Sequence, residues 1–439
     1  MKQHFHFLKL LLKSSFKDIE IIVFLDSFIW LRKRLCGFIL LADSFVNSFL
    51  YNIISMKDSK ELGINSICVH VGEVKDEQFK GAVSPIYVST SYAFDQVDIK
   101  RYPRYFNTPN QEALRRKIAA LEHTQDALIF GSGMAAISTA MLAFLKKGDH
   151  VLIQHVIYGG TYNFIANEFE KYGIEYSYTE SDQIEDFEPL IKENTKIIYI
   201  ETPSNPLLGI TDIKAVALLA KKRGIITMID NTFASPINQN PADFGIDVIV
   251  HSATKYMGGH SDISAGAVAA SKEHIEKIWK TGINLGGNLS DFTVWLLERS
   301  LKTLNLRVKE QTKNAQILAI YLEKHSMINR VYYPGLESHP QHAIAATQMH
   351  GFGAMMSFEL TEGIDAMEFQ NSLLLIKPSM SLAGLESTVL SPSLTTHALL
   401  TEEERLERGI NDRLIRFSVG IEEPEDLIAD FEQAINKTK

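Results

Sequence analysis

The stretch His251-Ser-Ala-Thr-Lys-Tyr-Met-Gly-Gly-His-Ser-Asp262 holds the residues best suited to chemistry. Its lysine, Lys255, comes shortly after an apolar run, Asp247-Val-Ile-Val250, that reads as a central strand. Two hydroxyls, Ser252 and Thr254, precede the lysine, and a glycine pair follows. Lysine becomes nucleophilic when burial or a cationic neighbour lowers its pKa. Ser and Thr hydroxyls can donate to phosphate oxygens. A lysine at the mouth of an α/β sheet, in that company, suits an amine that forms an imine near a bound phosphate. A solvated lysine after a strand would leave the same trace, so other stretches must decide.

Gly131-Ser-Gly-Met-Ala-Ala136 matches the dinucleotide pattern G-x-G-x-x-A. That pattern expects an acidic residue about 20 positions on, closing the next strand. The next strand closes at Gln154 and His155, with Asp149 before it. A nucleotide-binding oxidoreductase therefore loses half its signature. What remains is a glycine turn opening a helix, either a plain tight turn or a phosphate cup made of free N–H groups and the helix dipole. Asp230 ends the run Gly224-Ile-Ile-Thr-Met-Ile-Asp230. A carboxylate there can cap the following turn or hold a protonated ring nitrogen. Glu201-Thr-Pro-Ser-Asn-Pro206 closes another strand, its prolines stiffen the loop, and Asn205 can donate to a phenolate oxygen. Tyr158, in Tyr-Gly-Gly-Thr, offers either core lining or a flat face for an aromatic ring, with glycines giving room. A phosphate cup, an imine-forming lysine, a partner for a ring nitrogen and an aromatic stacker together describe one ligand, pyridoxal 5'-phosphate.

These residues need a scaffold, and the pattern supplies one. Strand-like runs (DALIF, DHVLIQH, IEYSYT, TKIIYIE, GIITMID, DVIV, GAVAAS) alternate with helical runs of about a dozen residues. Such alternation predicts a mostly parallel sheet covered on both faces. Ligands bind at the carboxyl ends of strands in these sheets, where Gly131, Tyr158, Glu201, Asp230 and Ser252 all fall. In EALRRKIAALEH, residues Leu114, Ile118 and Leu121 share one helical face. After about residue 290 one or two long helices lead to a second αβ pattern and a final helix, EPEDLIADFEQAI. The expected organisation is a non-family extension at 1–55, an extended arm at 56–107, a large domain at 108–306 and a smaller carboxyl-terminal α/β domain at 307–439.

Composition bounds the partners. At 439 residues the chain can hold two domains, and 45% apolar with 22% charged residues is ordinary for a globular protein. A net charge of −9 without a basic patch argues against nucleic acid. Two isolated cysteines, Cys36 and Cys68, exclude a disulfide framework and a zinc site and suit a reducing cytoplasm. Residues 1–55 are rich in Phe, Leu and Ile, but Asp18, Glu20, Asp26, Arg32-Lys33-Arg34 and Asp43 break every run before the roughly 20 apolar residues a membrane span needs. No cleavable secretory pattern is present either. The expectation is that Met56 is the true start. A membrane-tethered, non-catalytic binding protein would draw on this segment alone.

From about residue 60 to 436 the chain resembles the Cys/Met-metabolism (trans-sulfuration) family of pyridoxal-phosphate enzymes. The motifs YPRYFNTPN, GSGMAA, YGGT, ETPSNP, DNTF, HSATKYMGGHSD and RFSVGIE carry the resemblance, in family order and spacing. It implies an aspartate-aminotransferase-like α/β fold, fold type I. It also implies that Lys255 carries the cofactor as an imine and then shuttles a proton, that Asp230 binds the ring nitrogen, and that Tyr158 stacks on the ring. Gly133, Met134, Ser252 and Thr254 would hold the phosphate, with Tyr102 and Arg104 of a neighbouring subunit reaching it. Arg416 would clamp the substrate α-carboxylate, with Ser381 nearby. No metal is implied. Sites shared in this way imply a homodimer, assembled further as a dimer of dimers.

The implied activity is carbon–sulfur bond cleavage in a sulfur amino acid, with cystathionine cut at its β or γ bond. Members acting at Cγ have Glu just before the serine that matches Ser381, whereas this chain has Met380. That departure favours β-cleavage over γ-cleavage and leaves γ-replacement, as in a cystathionine γ-synthase, as the alternative. Methionine γ-lyases have a cysteine where this chain has Gly160. The stretch Ser391-Pro-Ser-Leu-Thr-Thr-His397 also departs from the pattern HPASMTH common in relatives.

Overall fold

The computed structural model describes residues 62–438, apart from Gln96, Asp98 and 396–400. Segment 1–55, with the expected start at Met56, lies outside the described residues, as do Thr396 and His397. Among the described residues no helix is long and apolar enough to cross a membrane.

The strand-like runs form seven strands, all apolar but β3: β1 Asp126–Phe130, β2 His150–Ile153, β3 Glu175–Tyr178, β4 Thr195–Glu201, β5 Ile226–Asp230, β6 Val248–His251 and β7 Gly266–Ala270. They pair in the order β1-β7-β6-β5-β4-β2-β3. Six run one way, and β7 lies antiparallel to both β1 and β6. The exception has a physical cause. A parallel return needs a crossover, usually a helix, and residues 252–265 between β6 and β7 contain none. The chain therefore turns back at the carboxyl edge of the sheet, and Lys255 stays there.

Side chains alternate across each strand, and both faces are covered. Leu128, Phe130, Val151, Ile153, Ile197, Tyr199, Val248 and Val250 enter one apolar cluster. The helices Gly133–Phe144, Gly159–Tyr172 and Lys272–Leu285 complete it. Ala127, Ile129, Leu152, Ile198, Ile200, Ile229 and Ile249 enter the other, with helices α1 Pro109–Leu121, Ile213–Arg223, Asp291–Leu301 and Leu304–Glu323. Burial on both faces is why these strands read as continuous apolar runs. In α1, Leu114, Ile118 and Leu121 are buried as the spacing predicts. The helix starts before Gln111, at Pro109, because Thr108 and Gln111 form a reciprocal capping box and proline suits the first turn.

The second sheet has the order β10-β11-β12-β9-β8, with β8 Ile328–Tyr332, β9 Met355–Leu360, β10 Lys377–Pro378, β11 Thr388–Leu390 and β12 Leu414–Ser418. Strands β8, β9 and β12 make up the strand part of the expected second αβ pattern. Strands β10 and β11 are too short to show any period. Segment 56–107, expected as an extended arm, contains the short helix Ile64–His70, which buries Ile67 and Cys68.

The lysine loop is fixed from below by Arg307. Its guanidinium donates to the carbonyls of Tyr256 (2.8 Å), Ser300 (3.0 Å) and Met257 (3.4 Å). Gly259 packs against that guanidinium with φ +67°, and a Cβ there would sit 1.8 Å from Arg307 Nη1. Left-handed backbone and close approach both require glycine. Gly259→Ala is expected to destabilise the protein by about 2 kcal/mol or more, read as a lowered urea midpoint at unchanged slope.

Candidate active site

Strand ends position the candidate residues. Lys255 is half-buried, and its Nζ lies 3.4 Å from Ser381 Oγ, which arrives from the segment between β10 and β11. Burial lowers the Lys255 pKa, and the Arg416 guanidinium lowers it further. Both causes favour the neutral, nucleophilic amine.

Arg416 sits on β12, paired with Ser357 of β9 and Leu390 of β11, and is 3% exposed. Its Nη1 donates to Asn205 Oδ1 at 3.2 Å and its Nη2 to Met380 O at 3.4 Å. Among the described residues no carboxylate lies within ion-pair distance of it. Burial lowers its pKa to about 10, so it stays cationic at neutral pH. A buried cation without an anion is a costly arrangement, and its forked donors match a carboxylate.

Asp230 closes β5 beside Glu201 of β4, its register partner. Burial raises the Asp230 pKa. Two bonds to Oδ1, from Thr232 Oγ1 (2.5 Å) and Thr232 N (3.0 Å), oppose that rise. Burial and Asp230 push the Glu201 carboxyl well up. Glu201 Oε2 accepts from Tyr158 N at 2.7 Å, which sets where the helix Gly159–Tyr172 begins. The Tyr158 side chain is 43% exposed. A Cβ on Gly160 would lie 2.4 Å from its ring and 3.1 Å from Met134 Sδ. Gly160 is thus the room that lets Tyr158 and Met134 share one wall.

Gly133 opens its helix against Ser252, where a Cβ would lie 2.8 Å from Ser252 Cβ. The first-turn N–H groups of Gly133 and Met134 have no acceptor inside the helix, and Ser132 caps only Ala135 N. Thr254 differs from its companions: its hydroxyl donates to Ala265 O at 3.1 Å and accepts from Ala265 N at 3.0 Å, tying the lysine loop together. Tyr102 and Arg104 do not join the cluster by any hydrogen bond. Arg104 lies over the rings of Tyr102 and Tyr105 and donates to Ile283 O, and Tyr102 is 40% exposed.

The residues present fit a flat phosphorylated aldehyde. Gly133, where a side chain would fill the cradle, leaves free N–H groups beside Ser252 for an anion. Asp230 offers a carboxylate that burial makes costly, and a protonated ring nitrogen would offset that cost. Asn205, with Oδ1 committed to Arg416, keeps its NH2 to donate. Sequence reasoning gave no role to Glu201, Thr232 or Arg307, because the spacing of a strand-end acid or a helical arginine does not reveal what it will hold.

The family model for Cys/Met metabolism PLP-dependent enzymes matches residues 65–436. Cystathionine beta-lyase MetC of Bacillus subtilis (strain 168) is 42% identical over 81% of this chain and 92% of its own length. Cystathionine gamma-lyase of the same organism is 43% identical over 84% of this chain and 98% of its own. A crystal structure of cystathionine gamma-lyase from Lactobacillus plantarum, complexed with L-serine, superposes with a TM-score of 0.83 at 38% identity, covering 86% of this chain and 99% of the other. The chain belongs to the Cys/Met metabolism family of pyridoxal-phosphate-dependent enzymes, of fold type I.

Lys255 of the cofactor-free protein is expected to react with an acylating reagent at lower pH than exposed lysines. Removing the neighbouring cation with Arg416→Met favours the charged amine, so the midpoint should move up. Peptide mass spectrometry across pH reads both, and an unmoved midpoint would remove Arg416 as a cause.

Proposed function

We propose that this chain is a carbon–sulfur lyase that cleaves cystathionine, preferring the β bond. The observation that carries the reading is a half-buried lysine near a buried arginine that no acid among the described residues neutralises. An α-amino acid supplies what the two lack, a carboxylate for Arg416 and an α-proton for Lys255.

Bound pyridoxal phosphate supplies an aldehyde that captures the substrate amine and a ring that takes up the electron pair left by the α-proton. The chain does the rest. The Gly133 and Met134 N–H groups and the Ser252 hydroxyl hold the phosphate. The Thr254 hydroxyl holds it only as far as its bonds to Ala265 allow. Asp230 binds the ring nitrogen, Asn205 donates to the ring oxygen, and Tyr158 covers one ring face. Arg416 orients the substrate through its carboxylate, and Ser381 keeps Lys255 Nζ close by. The Lys255 amine removes the α-proton and can return a proton to the departing thiolate. β-Cleavage with water then gives homocysteine, pyruvate and ammonia.

Preference for the β bond rests on Met380, an exposed thioether where members acting at Cγ have Glu. Cystathionine γ-synthase activity is the second reading, because Met380 weakens γ-chemistry without excluding it. A methionine γ-lyase reading is poorer, since this chain has Gly160 where those enzymes have a cysteine. Tyr102 and Arg104 serve the phosphate of a second copy, which makes the enzyme a homodimer with shared sites and, assembled further, a dimer of dimers. The expected setting is cytoplasmic.

Purified enzyme given L-cystathionine is expected to release pyruvate and homocysteine. Release of 2-oxobutyrate and cysteine would assign the γ bond instead. Intact cystathionine, with synthesis from O-succinylhomoserine and cysteine, would assign the synthase. Lys255→Ala should lose turnover by orders of magnitude. Mixing inactive Lys255→Ala with inactive Arg104→Ala should restore activity, because hybrid dimers rebuild one complete site; no recovery would sink the shared site.

A further inference from the structure

The deepest carboxyl group near the site belongs to Glu122, which the mechanism does not use. It caps the carboxyl end of α1 and is 0% exposed. One oxygen, Oε1, accepts from His251 Nε2 at 2.5 Å and from Asn231 Nδ2 at 3.1 Å. The other, Oε2, is buried and has no hydrogen-bond partner among the described residues. Among the described residues its single ion-pair partner is His251, itself 2% exposed. An apolar side chain there would avoid the desolvation cost of a half-satisfied acid. What the carboxylate contributes is a tie.

The tie joins two points that matter. His251 is the last residue of β6 and immediately precedes Ser252; Asn231 immediately follows Asp230 at the end of β5. Glu122 therefore binds the residue next to each end of the cofactor cradle. A second bridge runs parallel to it: Thr232 Oγ1 donates to Asp230 and accepts from Ser252 N at 2.8 Å. Behind them Asn231 is held by Gln239, with Nδ2 to Gln239 O at 3.0 Å and Oδ1 from Gln239 Nε2 at 2.9 Å.

We infer that Glu122 and His251 are positioning residues for the cofactor: their buried pair sets the spacing between Asp230, at the ring nitrogen, and Ser252, at the phosphate. The inference rests on the reading of those two residues as the ends of the cradle. The imidazole has a second effect: it opposes the rise that burial causes in the Asp230 pKa.

The test is the affinity of the apo-protein for pyridoxal phosphate, followed by the visible absorption of the bound cofactor across pH. Glu122→Met keeps the volume and removes the tie. It is expected to bind the cofactor roughly tenfold or more weakly, the size typical for residues that orient a ligand's direct partners, and to shift the absorption midpoint. The unfolding midpoint of the apo-protein should not fall. Glu122→Gln, whose amide oxygen can accept both bonds, should recover most of the affinity. If Glu122→Met fails to fold, His251→Asn takes its place, since its amide is too short to reach Glu122. Wild-type affinity and absorption in these variants, alongside weak binding in Asp230→Ala, would overturn the inference and leave the site reading standing. Wild-type binding by Asp230→Ala would remove both.

Discussion

A strand that cannot return in parallel organises this molecule. No helix separates β6 from β7, so the chain doubles back at the carboxyl edge of the sheet, and Lys255 is carried on that turn. Everything that acts on the lysine is placed relative to it. Arg307 holds the loop from below through carbonyls, and Thr254 closes it onto Ala265. Ser381 and Arg416 approach from the second sheet. A helical crossover at this point would have carried the lysine away along one face of the sheet.

Charge balance across the site follows from the same placement. Asp230 and Glu201 end adjacent strands and are both buried; burial raises both pKa values, and Asp230 pushes Glu201 up further. Lys255 and Arg416 are coupled in the opposite sense, since burial and the Arg416 guanidinium both lower the Lys255 pKa. Among the described residues no ion pair neutralises the first couple, Asp230 and Glu201, or Arg416 of the second. A phosphate-bearing pyridine with a protonated ring nitrogen answers the first, and an amino acid carboxylate answers the second. The unsatisfied groups thereby describe the cofactor and substrate.

The site was legible in the sequence wherever a residue type carries its chemistry with it. Lysine after a strand, aspartate at a strand end, a glycine turn before a helix and the pair of prolines around Asn205 gave a joint signal. Residues that act by holding others left no such trace. Thr232, Glu201, Glu122 and Arg307 are common residue types at unremarkable spacing. Each has a partner twenty to more than a hundred positions away in the chain, so those bonds exist only after folding. Thr254 shows the converse: a hydroxyl that reads as a phosphate donor has its proton committed to Ala265 O.

The sequence by itself determined the alternation of strands and helices, both covered faces of the large sheet and the carboxyl-edge location of the chemistry. These depend on period and on local turn chemistry, which neighbouring residues carry between them. Tertiary structure alone decided that β7 runs backwards and that Ser381 and Arg416 meet Lys255 from a second sheet. It also decided that Glu122 ties together the strand ends bearing Asp230 and Ser252. Those outcomes depend on which distant segments pack together and on how each buried polar group finds a partner, a competition settled over the whole chain at once.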